Sequence, residues 1–214
     1  MPVPIPTPIY RIIHIDNLHI FLQREKLHAP NHNPNDGLTY KTIHNLDIQS
    51  NRRATYIPCG PGGVIHDYVS FYFGPRSPML YQLHTGWLEG YSERQDPIIY
   101  LVSSVQTIQK AGEKFVFSDG HGIARFTKWF DDIQDLNNVD WNMVNETYWK
   151  DVDDDLDRQR RKQAEFLIYK SCSWNVINEI AVLNNDMKKR VVDILSDFDR
   201  IVRRDVKIHR EWYY

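Results

Sequence analysis

Short runs of β-branched and aromatic residues recur along the chain, separated by turn-forming residues, and they predict strands. The first of them, IYRIIHI at 9–15, is apolar enough for a buried strand. The predicted strands are 9–15, 69–73, 98–105, 114–119, 165–170, 179–183 and 206–214.

Apolar residues at helical spacing separate several of these strands. The predicted helices are 16–27, with Asp16 or Asn17 as its cap, about 40–53, about 105–111 and 187–198. The stretch 126–150 is predicted to be helical but broken. Because strands and helices mix without strict alternation, the pattern predicts an α+β fold.

The first eight residues, MPVPIPTP, place proline at every second position. Proline cannot donate to a strand ladder, so residues 1–8 are predicted to form an extended arm. No linker or internal repeat follows, and 214 residues suffice for one sizeable core. We therefore expect a single domain over residues 9–214.

Composition narrows the function classes. A net charge of −2 means that the chain as a whole makes no bulk electrostatic attraction to nucleic acid, so such binding would need a local patch. Cys59 and Cys172 are far apart and lack metal-ligand spacing, which fits a reducing compartment. With no membrane-length apolar run and no signal-peptide pattern, we expect a cytoplasmic protein.

Three familiar site motifs are absent. The cluster GPGG at 60–63 lacks the spacing of a phosphate-binding loop, and a tight turn is the simpler interpretation. The acidic run DVDDDLD at 151–157 starts like a calcium loop, but Leu156 occupies the required glycine position and Lys162 the final carboxylate position. The histidines never pair at ligand spacing, so we expect no metal.

One carboxylate and one arginine pair are candidates for chemistry. Glu165 lies between the cationic run 160–162 and a run of strand formers, either as a solvated residue or as an acceptor aimed into a cleft. Arg52 and Arg53 end a predicted helix, where they either complement the helix dipole or hold a developing anion. The run 151–163 is expected to be exposed, and its basic part to attract phosphate groups.

The segment PRSPMLY at 75–81 combines one cation with flat apolar surface at Met79 and Tyr81. Single-stranded nucleic acid is bound by that combination, with charge for the phosphate and an aromatic or thioether surface for the base. The alternative is an ordinary surface turn.

Four stretches together resemble the DarT family of DNA ADP-ribosyltransferase toxins. They are IYRIIHIDNL, IPCGPGGVIHDYVSFYFGPRSPMLY, RRKQAEFLIYK and the terminal REWYY, in the family's order over residues 9–214. The resemblance implies an ADP-ribosyltransferase fold, a split pair of β-sheets with NAD in the cleft between them and flanking helices. It also implies transfer of ADP-ribose from NAD to thymine in single-stranded DNA, and a partner antitoxin whose macrodomain removes the modification. Separately, we expect a monomer.

The same resemblance implies site residues. Glu165 matches the family's catalytic glutamate and Arg52 its essential arginine. The segment 36–54 matches the loop and helix that clasp NAD, and 120–165 the long loop before the glutamate. Arg11 stands where the family can have histidine, so its backbone contacts are implied and its side-chain contacts stay open. The implied NAD-binding residues are Arg11, Ile12, Ile13, Ile20, Lys41 and Arg52, and the implied DNA-binding residues are Arg76, Ser77, Pro78, Met79, Leu80 and Tyr81.

Two other functions stay open at this point. The chain could be a nucleic-acid-binding module that kept the fold without activity, although intact Glu165 and Arg52 speak against this. It could also modify a protein or a small molecule. Whether Arg52 takes a proton from the base or only stabilises it is also open, because arginine stays protonated across biological pH.

Overall fold

A computed structural model describes all residues from Met1 to Tyr214 and contains ten strands. The strands are β1 Pro8–His14, β2 Lys26–His28, β3 Tyr68–Tyr72, β4 Ile98–Ser104, β5 Phe115–Ser118, β6 Trp129–Phe130, β7 Glu165–Tyr169, β8 Ser171–Ser173, β9 Glu179–Val182 and β10 Asp205–Ile208. Eight of them form one sheet in the order β10-β9-β4-β1-β3-β7-β5-β6, and β2 pairs with β8 separately. All pairs are antiparallel except β9 with β10.

Seven α-helices flank the sheets. They are α1 Leu18–Arg24, α2 Leu46–Ala54, α3 Pro78–Thr85, α4 Val105–Lys110, α5 Trp141–Asn145, α6 Arg158–Lys162 and α7 Asn185–Ser196. Short 3₁₀ turns lie between them at 15–17, 30–32, 65–67, 133–138, 174–176 and 210–212. None of the helices is both long enough and apolar enough to cross a membrane.

The large sheet is divided at its middle. Strands β1 and β4 pair along seven residues and β3 and β7 along five, whereas β1 and β3 are joined only at Tyr10 and Tyr72. The two four-stranded halves therefore diverge beyond this single pair, and a cleft opens between β1 and β3. This arrangement confirms the expected α+β fold with a split pair of sheets.

The main hydrophobic core fills the space between the sheet and the helices. All seven residues of β4 are buried, and 33 buried residues form one continuous cluster around the sheet. The last helix, α7, buries Met187, Val191 and Leu195, which are four residues apart and so share one face. We propose that residues 9–214 form one domain, because this cluster joins strands and helices from both ends of the chain.

Several predicted boundaries differ from the structure for local reasons. Strand β1 begins one residue early, at Pro8, which pairs with Ser104. Helix α1 ends at Arg24 because Glu25 is left-handed, with φ of 53°, and the chain then continues as β2. Helix α2 begins only at Leu46, since Asn45 caps the amides of residues 47 and 48.

Three other predictions need correction. The PRSPMLY segment is not an ordinary surface turn, because from Pro78 onward it is the start of α3, capped by Ser77. The terminal run 206–214 is a strand only to Ile208 and continues as a 3₁₀ turn. The stretch 126–150 is indeed broken, but its α-helical part is only α5, with a two-residue strand and a 3₁₀ turn before it.

The expected exposure of 151–163 is wrong for its basic end. Arg160 is paired with Asp119 and with Asp157 from within the run, and Arg161 is also held by carboxylates. Lys162 is only 2% exposed and donates to two main-chain carbonyls, those of residues 144 and 146. These cations are occupied by internal partners, so they do not form a free patch for DNA phosphates.

Candidate active site

The cleft between β1 and β3 encloses a cavity of about 430 Å³. Helix α2 and the segment before it form one wall of the cleft. The start of α3 and both ends of the 120–165 loop also line the cleft. Of the residues predicted to act at the site, those lining the cleft are Arg11, Ile12, Ile13, Lys41, Arg52, Pro78, Met79 and Glu165.

Glu165 is the first residue of β7 and is only 1% exposed. Its backbone lies opposite Tyr72 of β3, and its amide donates to Ser118 Oγ at 3.2 Å. This register directs the carboxylate into the cleft between the two half-sheets. The sequence was compatible with a solvated carboxylate or with one aimed into a cleft, and the structure shows the second.

The amide of Gly122 approaches the same carboxylate. It donates to Glu165 Oε1 at 3.1 Å. A Cβ at position 122 would lie 3.0 Å from Ile65 and 3.2 Å from both Glu165 Oε1 and Trp129, so a side chain here would crowd the site from three sides. The glycine thus permits a backbone donor to reach the carboxylate, and the sequence pattern gave no sign of this contact.

Arg52 lies in the last turn of α2 and is 8% exposed. Its Nη1 donates to Glu165 Oε1 at 2.9 Å and its Nη2 to Glu165 Oε2 at 2.7 Å. Nη2 also donates to Ser70 Oγ at 2.7 Å. Arg53, in contrast, is exposed. A bidentate pair of this kind fixes both the distance and the plane of the carboxylate.

The charges of this pair are mutually dependent. Burial alone would raise the pKa of Glu165, but the charge and hydrogen bonds of Arg52 outweigh it, and the pKa lies below its usual value. Burial works against the charge of Arg52 as well, yet Glu165 raises the pKa of Arg52 above its usual value. Both groups are therefore ionised at neutral pH, in a position where neither would be stable as a single charge.

A second guanidinium reaches the cleft from β1. Arg11 Nη1 donates to the carbonyl of Ser70 at 2.7 Å, so the backbone and side chain of Ser70 connect the two arginines. Burial lowers the pKa of Arg11, and its Nε is buried without a hydrogen-bond partner. The side chain of Arg11 thus lies at the site and offers an unused donor.

Four histidines also line the cleft, and none of them was among the predicted site residues. They are His28, His44, His66 and His121. Burial is the largest cause that lowers the pKa of each, and Arg52 lowers the pKa of the last three further. They are therefore uncharged at neutral pH and able to accept a proton. Their spacing in sequence carries no signal, because each comes from a different part of the fold.

The remaining predicted NAD contacts differ in position. Lys41 lines the cleft, and its amino group pairs with Asp16 at 3.4 Å and with Glu93. The side chain of Asn17 bonds both main-chain groups of Lys41, at 2.7 and 2.9 Å, and so fixes this segment against α1 instead of capping the helix. Ile20 is buried in α1 and is not among the lining residues.

The residues of the predicted DNA-binding segment 76–81 also differ in position. Pro78 and Met79 line the cleft, whereas Leu80 is fully buried on the inner face of α3 and Ser77 caps the helix. Arg76 donates from Nε and Nη2 to the carbonyl of Tyr213, at 3.0 and 2.7 Å. Two donors of this arginine are thus used internally, and they anchor the end of the chain to the turn before α3.

No group of three or more histidine, cysteine, aspartate or glutamate side chains is placed to hold a metal ion.

Comparison with known proteins places this geometry in a defined group. The family model described as "ssDNA thymidine ADP-ribosyltransferase, DarT" matches residues 10–214. A DNA ADP-ribosyl transferase of Thermus sp. (strain 2.9) is 44% identical over 211 residues, covering 99% of this chain and 98% of that protein. One from Escherichia coli O127:H6 is 30% identical over 208 residues, covering 96% and 93%.

Solved structures of DarT proteins have the same fold as this chain. Thermus sp. 2.9 DarT in complex with ADP-ribosylated single-stranded DNA superposes with a TM-score of 0.93 at 42% identity, covering 100% of this chain and 99% of that one. The same Thermus protein in complex with NAD⁺ gives a TM-score of 0.88, with 99% of each chain covered. Thermosipho africanus DarTG shares the fold, with a TM-score of 0.76 at 16% identity over 97% of this chain and 51% of that one.

The ion pair predicts a specific acid sensitivity. Because the folded-state pKa of Glu165 is depressed, its contribution to stability is present above its ordinary pKa of 4.5 and is lost as the pH falls through the lower folded value. Glu165→Gln has no such ionisation. We expect its urea unfolding free energy to fall less steeply than that of the wild type from about pH 5 to pH 3. The exposed Glu89→Gln serves as control and should keep the wild-type slope, and equal slopes for all three proteins would contradict the assignment.

Proposed function

The chain belongs to the DarT family of single-stranded DNA thymidine ADP-ribosyltransferases, and from this premise we infer how its cleft performs the reaction. It is an NAD-dependent DNA ADP-ribosyltransferase that transfers ADP-ribose to thymine in single-stranded DNA and releases nicotinamide. The observation that supports our assignment of the site is the buried pair of Arg52, from α2, and Glu165, from the first position of β7, in the cleft between the half-sheets. A module that only binds nucleic acid would have no use for a carboxylate stabilised at this cost.

We propose that Glu165 favours the positive charge that develops on the ribose as the bond to nicotinamide breaks. Such a state resembles the oxocarbenium ion of glycoside cleavage, which a fixed carboxylate stabilises. Oε1 already accepts from Arg52 and Gly122, whereas Oε2 accepts from Arg52 alone. Since a carboxylate oxygen accepts two hydrogen bonds, Oε2 is the atom available to a ribose hydroxyl.

The bond changes balance without a further reactant. The bond between the ribose and nicotinamide breaks, a bond between the ribose and a nitrogen on the pairing edge of thymine forms, and that nitrogen loses one proton. Arg52 remains protonated, because Glu165 raises its pKa, so we assign it the stabilisation of the base as negative charge develops there. A separate group must take the proton.

We propose His121 for that role. It lines the cleft immediately before Gly122, whose amide holds Glu165, and its lowered pKa keeps it in the neutral form at neutral pH. A neutral imidazole can accept a proton, whereas a guanidinium, which stays protonated, cannot. This division leaves Arg52 as the electrostatic group and His121 as the base.

Our assignment of the NAD-binding residues rests on the division between β1 and β3. Strand β1 pairs with β3 only at Tyr10, so the edge of β1 at residues 11–13 that faces β3 is not used by strand pairing. We propose that this edge, including Arg11, Ile12 and Ile13, offers its backbone groups to NAD. Lys41 and Arg52 would add side-chain contacts from the opposite wall. Ile20 does not line the cleft, and it would contribute only by holding α1 in position.

The DNA strand is assigned to the segment 76–81. Met79 and Pro78 present apolar surface at the edge of the cleft, and Tyr81 lies beyond them on α3. Arg76 would contribute with the donors not taken by Tyr213. Ser77 and Leu80 would act by fixing the start of the helix, since they cap it and fill the core beneath it.

The wider context is also a proposal. We infer a cytoplasmic protein, since both substrates, NAD and DNA, are found there. We further propose that it acts as a monomer and that a macrodomain antitoxin reverses the modification, in keeping with the family.

The acceptor strand can be tested directly. A base nitrogen used in pairing is not accessible inside a duplex, so the target must be unpaired or flipped out. We expect transfer of label from NAD to single-stranded oligonucleotides that contain thymine, and far slower transfer to the same sequence annealed in a blunt duplex. Equal labelling of the duplex, or labelling that persists after every thymine is replaced, would contradict the assignment. Labelling of total protein from a lysate instead would support a different acceptor.

The proposed base predicts a pH profile. Protonation of His121 removes the acceptor, and because its pKa lies below the ordinary 6.5, kcat should stay level down to about pH 6.5 and fall only below it. His121→Gln should lower kcat about 100-fold or more and abolish this acid limb. The exposed His19→Gln is the matched control and should keep the wild-type profile. An acid limb that persists in His121→Gln would assign the proton to another group.

A further inference from the structure

A group of aromatic side chains lies at the far end of α3, outside the cleft. Trp87, just after the helix, is 75% exposed, which is unusual for tryptophan, the largest of the side chains. Its ring centroid is 6.4 Å from that of Tyr81, in an edge-to-face arrangement. Tyr81 in turn packs edge-to-face against Trp149, at 5.6 Å, and Tyr214, at 5.1 Å. We call Tyr81, Trp87, Trp149 and Tyr214 the aromatic platform.

The platform is held rigidly from below. Trp149 Nε1 donates to the hydroxyl of Tyr214 at 2.9 Å, and that hydroxyl donates to the carbonyl of Arg76 at 3.2 Å. Gln95 exchanges two hydrogen bonds with the backbone of Tyr214, at 2.6 and 3.1 Å. These bonds fix Trp149 and Tyr214, and Trp87 is exposed beside them.

Two elements connect the platform to the edge of the cleft. Helix α3 carries Met79 and Gln82, which line the cleft, and Tyr81, which belongs to the platform, and at eight residues it is about 12 Å long. On the other side, Arg158 donates to the carbonyl of Lys150 at 3.1 Å, and the next residue, Gln159, lines the cleft. The platform thus continues the surface that leads into the site.

The charge around the platform suits a base more than a long phosphate backbone. Lys150 places its Nζ 6.0 Å from the centroid of the Tyr81 ring, and the guanidinium carbon of Arg76 lies 5.5 Å from that of Tyr214. Beyond Lys150, Asp151, Asp153 and Asp154 are exposed and would repel a chain of phosphates. A few cations beside flat aromatic surface are the composition by which proteins stack the bases of single-stranded nucleic acid.

We propose that the aromatic platform binds a base of the substrate strand at a distance from the target thymine, with Trp87 as its stacking surface. This inference rests on the proposed function, because the occupant is the same single-stranded DNA that enters the cleft. It adds a contact outside the reacting centre, which should strengthen binding of longer strands without changing the chemical step.

The experiment compares two single-stranded oligonucleotides with the same target thymine. One is roughly 12 nucleotides long, and the other carries only one neighbour on each side of the thymine. Trp87→Ala should raise the KM for the long strand about tenfold, with kcat and the KM for NAD unchanged and with no effect on the short strand. Trp87→Phe should recover most of the loss, since it keeps an aromatic face.

Controls separate this proposal from its premise. Tyr56→Ala removes an exposed aromatic side chain that does not line the cleft and should leave all constants unchanged. Wild-type transfer to the short strand tests the proposed function itself. An unchanged KM for the long strand in Trp87→Ala, or an equal increase for both strands, would overturn the proposal. If that variant instead loses inhibition by a macrodomain antitoxin while its KM values are unchanged, the platform is a protein interface and the proposal is wrong.

Discussion

The buried ion pair between Arg52 and Glu165 is the interaction on which the site depends. Removing both charges from water costs several kcal/mol per ion, and only close bidentate geometry with further hydrogen bonds offsets this cost. Ser70 and Gly122 supply those additional bonds. Deleting one partner of such a pair typically costs about 3–5 kcal/mol, so this contact also joins α2, β3, β7 and the 120–165 loop into one structure.

The seam between the half-sheets explains why the pair lies where it does. A continuous sheet would bury the edges of β1 and β3 in mutual hydrogen bonds, whereas pairing at a single position leaves both edges facing a cavity. Glu165 enters this cavity because it begins its strand opposite Tyr72, at the end of the paired region. The fold thus provides a backbone edge on one wall and a fixed charge on the other, and we propose that NAD binds between them.

Local sequence was informative where one residue and its neighbours determine the outcome. Glu165 before a run of strand formers was predicted at a strand mouth, and its burial follows from the pairing of β7 on both sides. The choice between Arg52 and Arg53 could not be made from the sequence pattern, since it depends on which face of α2 meets Ser70. The resemblance to the family made that choice.

Contacts between distant segments were not predictable. Some partners of the cations at 160–162 lie within the acidic run itself, but Asp119 and Asp140 lie about twenty or more residues away, and no local pattern reports them. Likewise the role of Tyr214 in fixing α3 depends on Arg76 and Gln95, which belong to different loops. The neutral state of His121 arises from burial beside Arg52, and no spacing rule reports it.

The most direct test of the central claim is the single-turnover rate of ADP-ribosyl transfer at saturating NAD in Glu165→Gln. The glutamine keeps the size of the side chain and removes the charge that favours the transition state. We predict a rate at least about 100-fold below the wild type, with NAD affinity measured by calorimetry nearly unchanged. Arg52→Lys, which keeps the charge but cannot bridge both carboxylate oxygens, should also be slow. Transfer by Glu165→Gln at close to the wild-type rate would contradict the account.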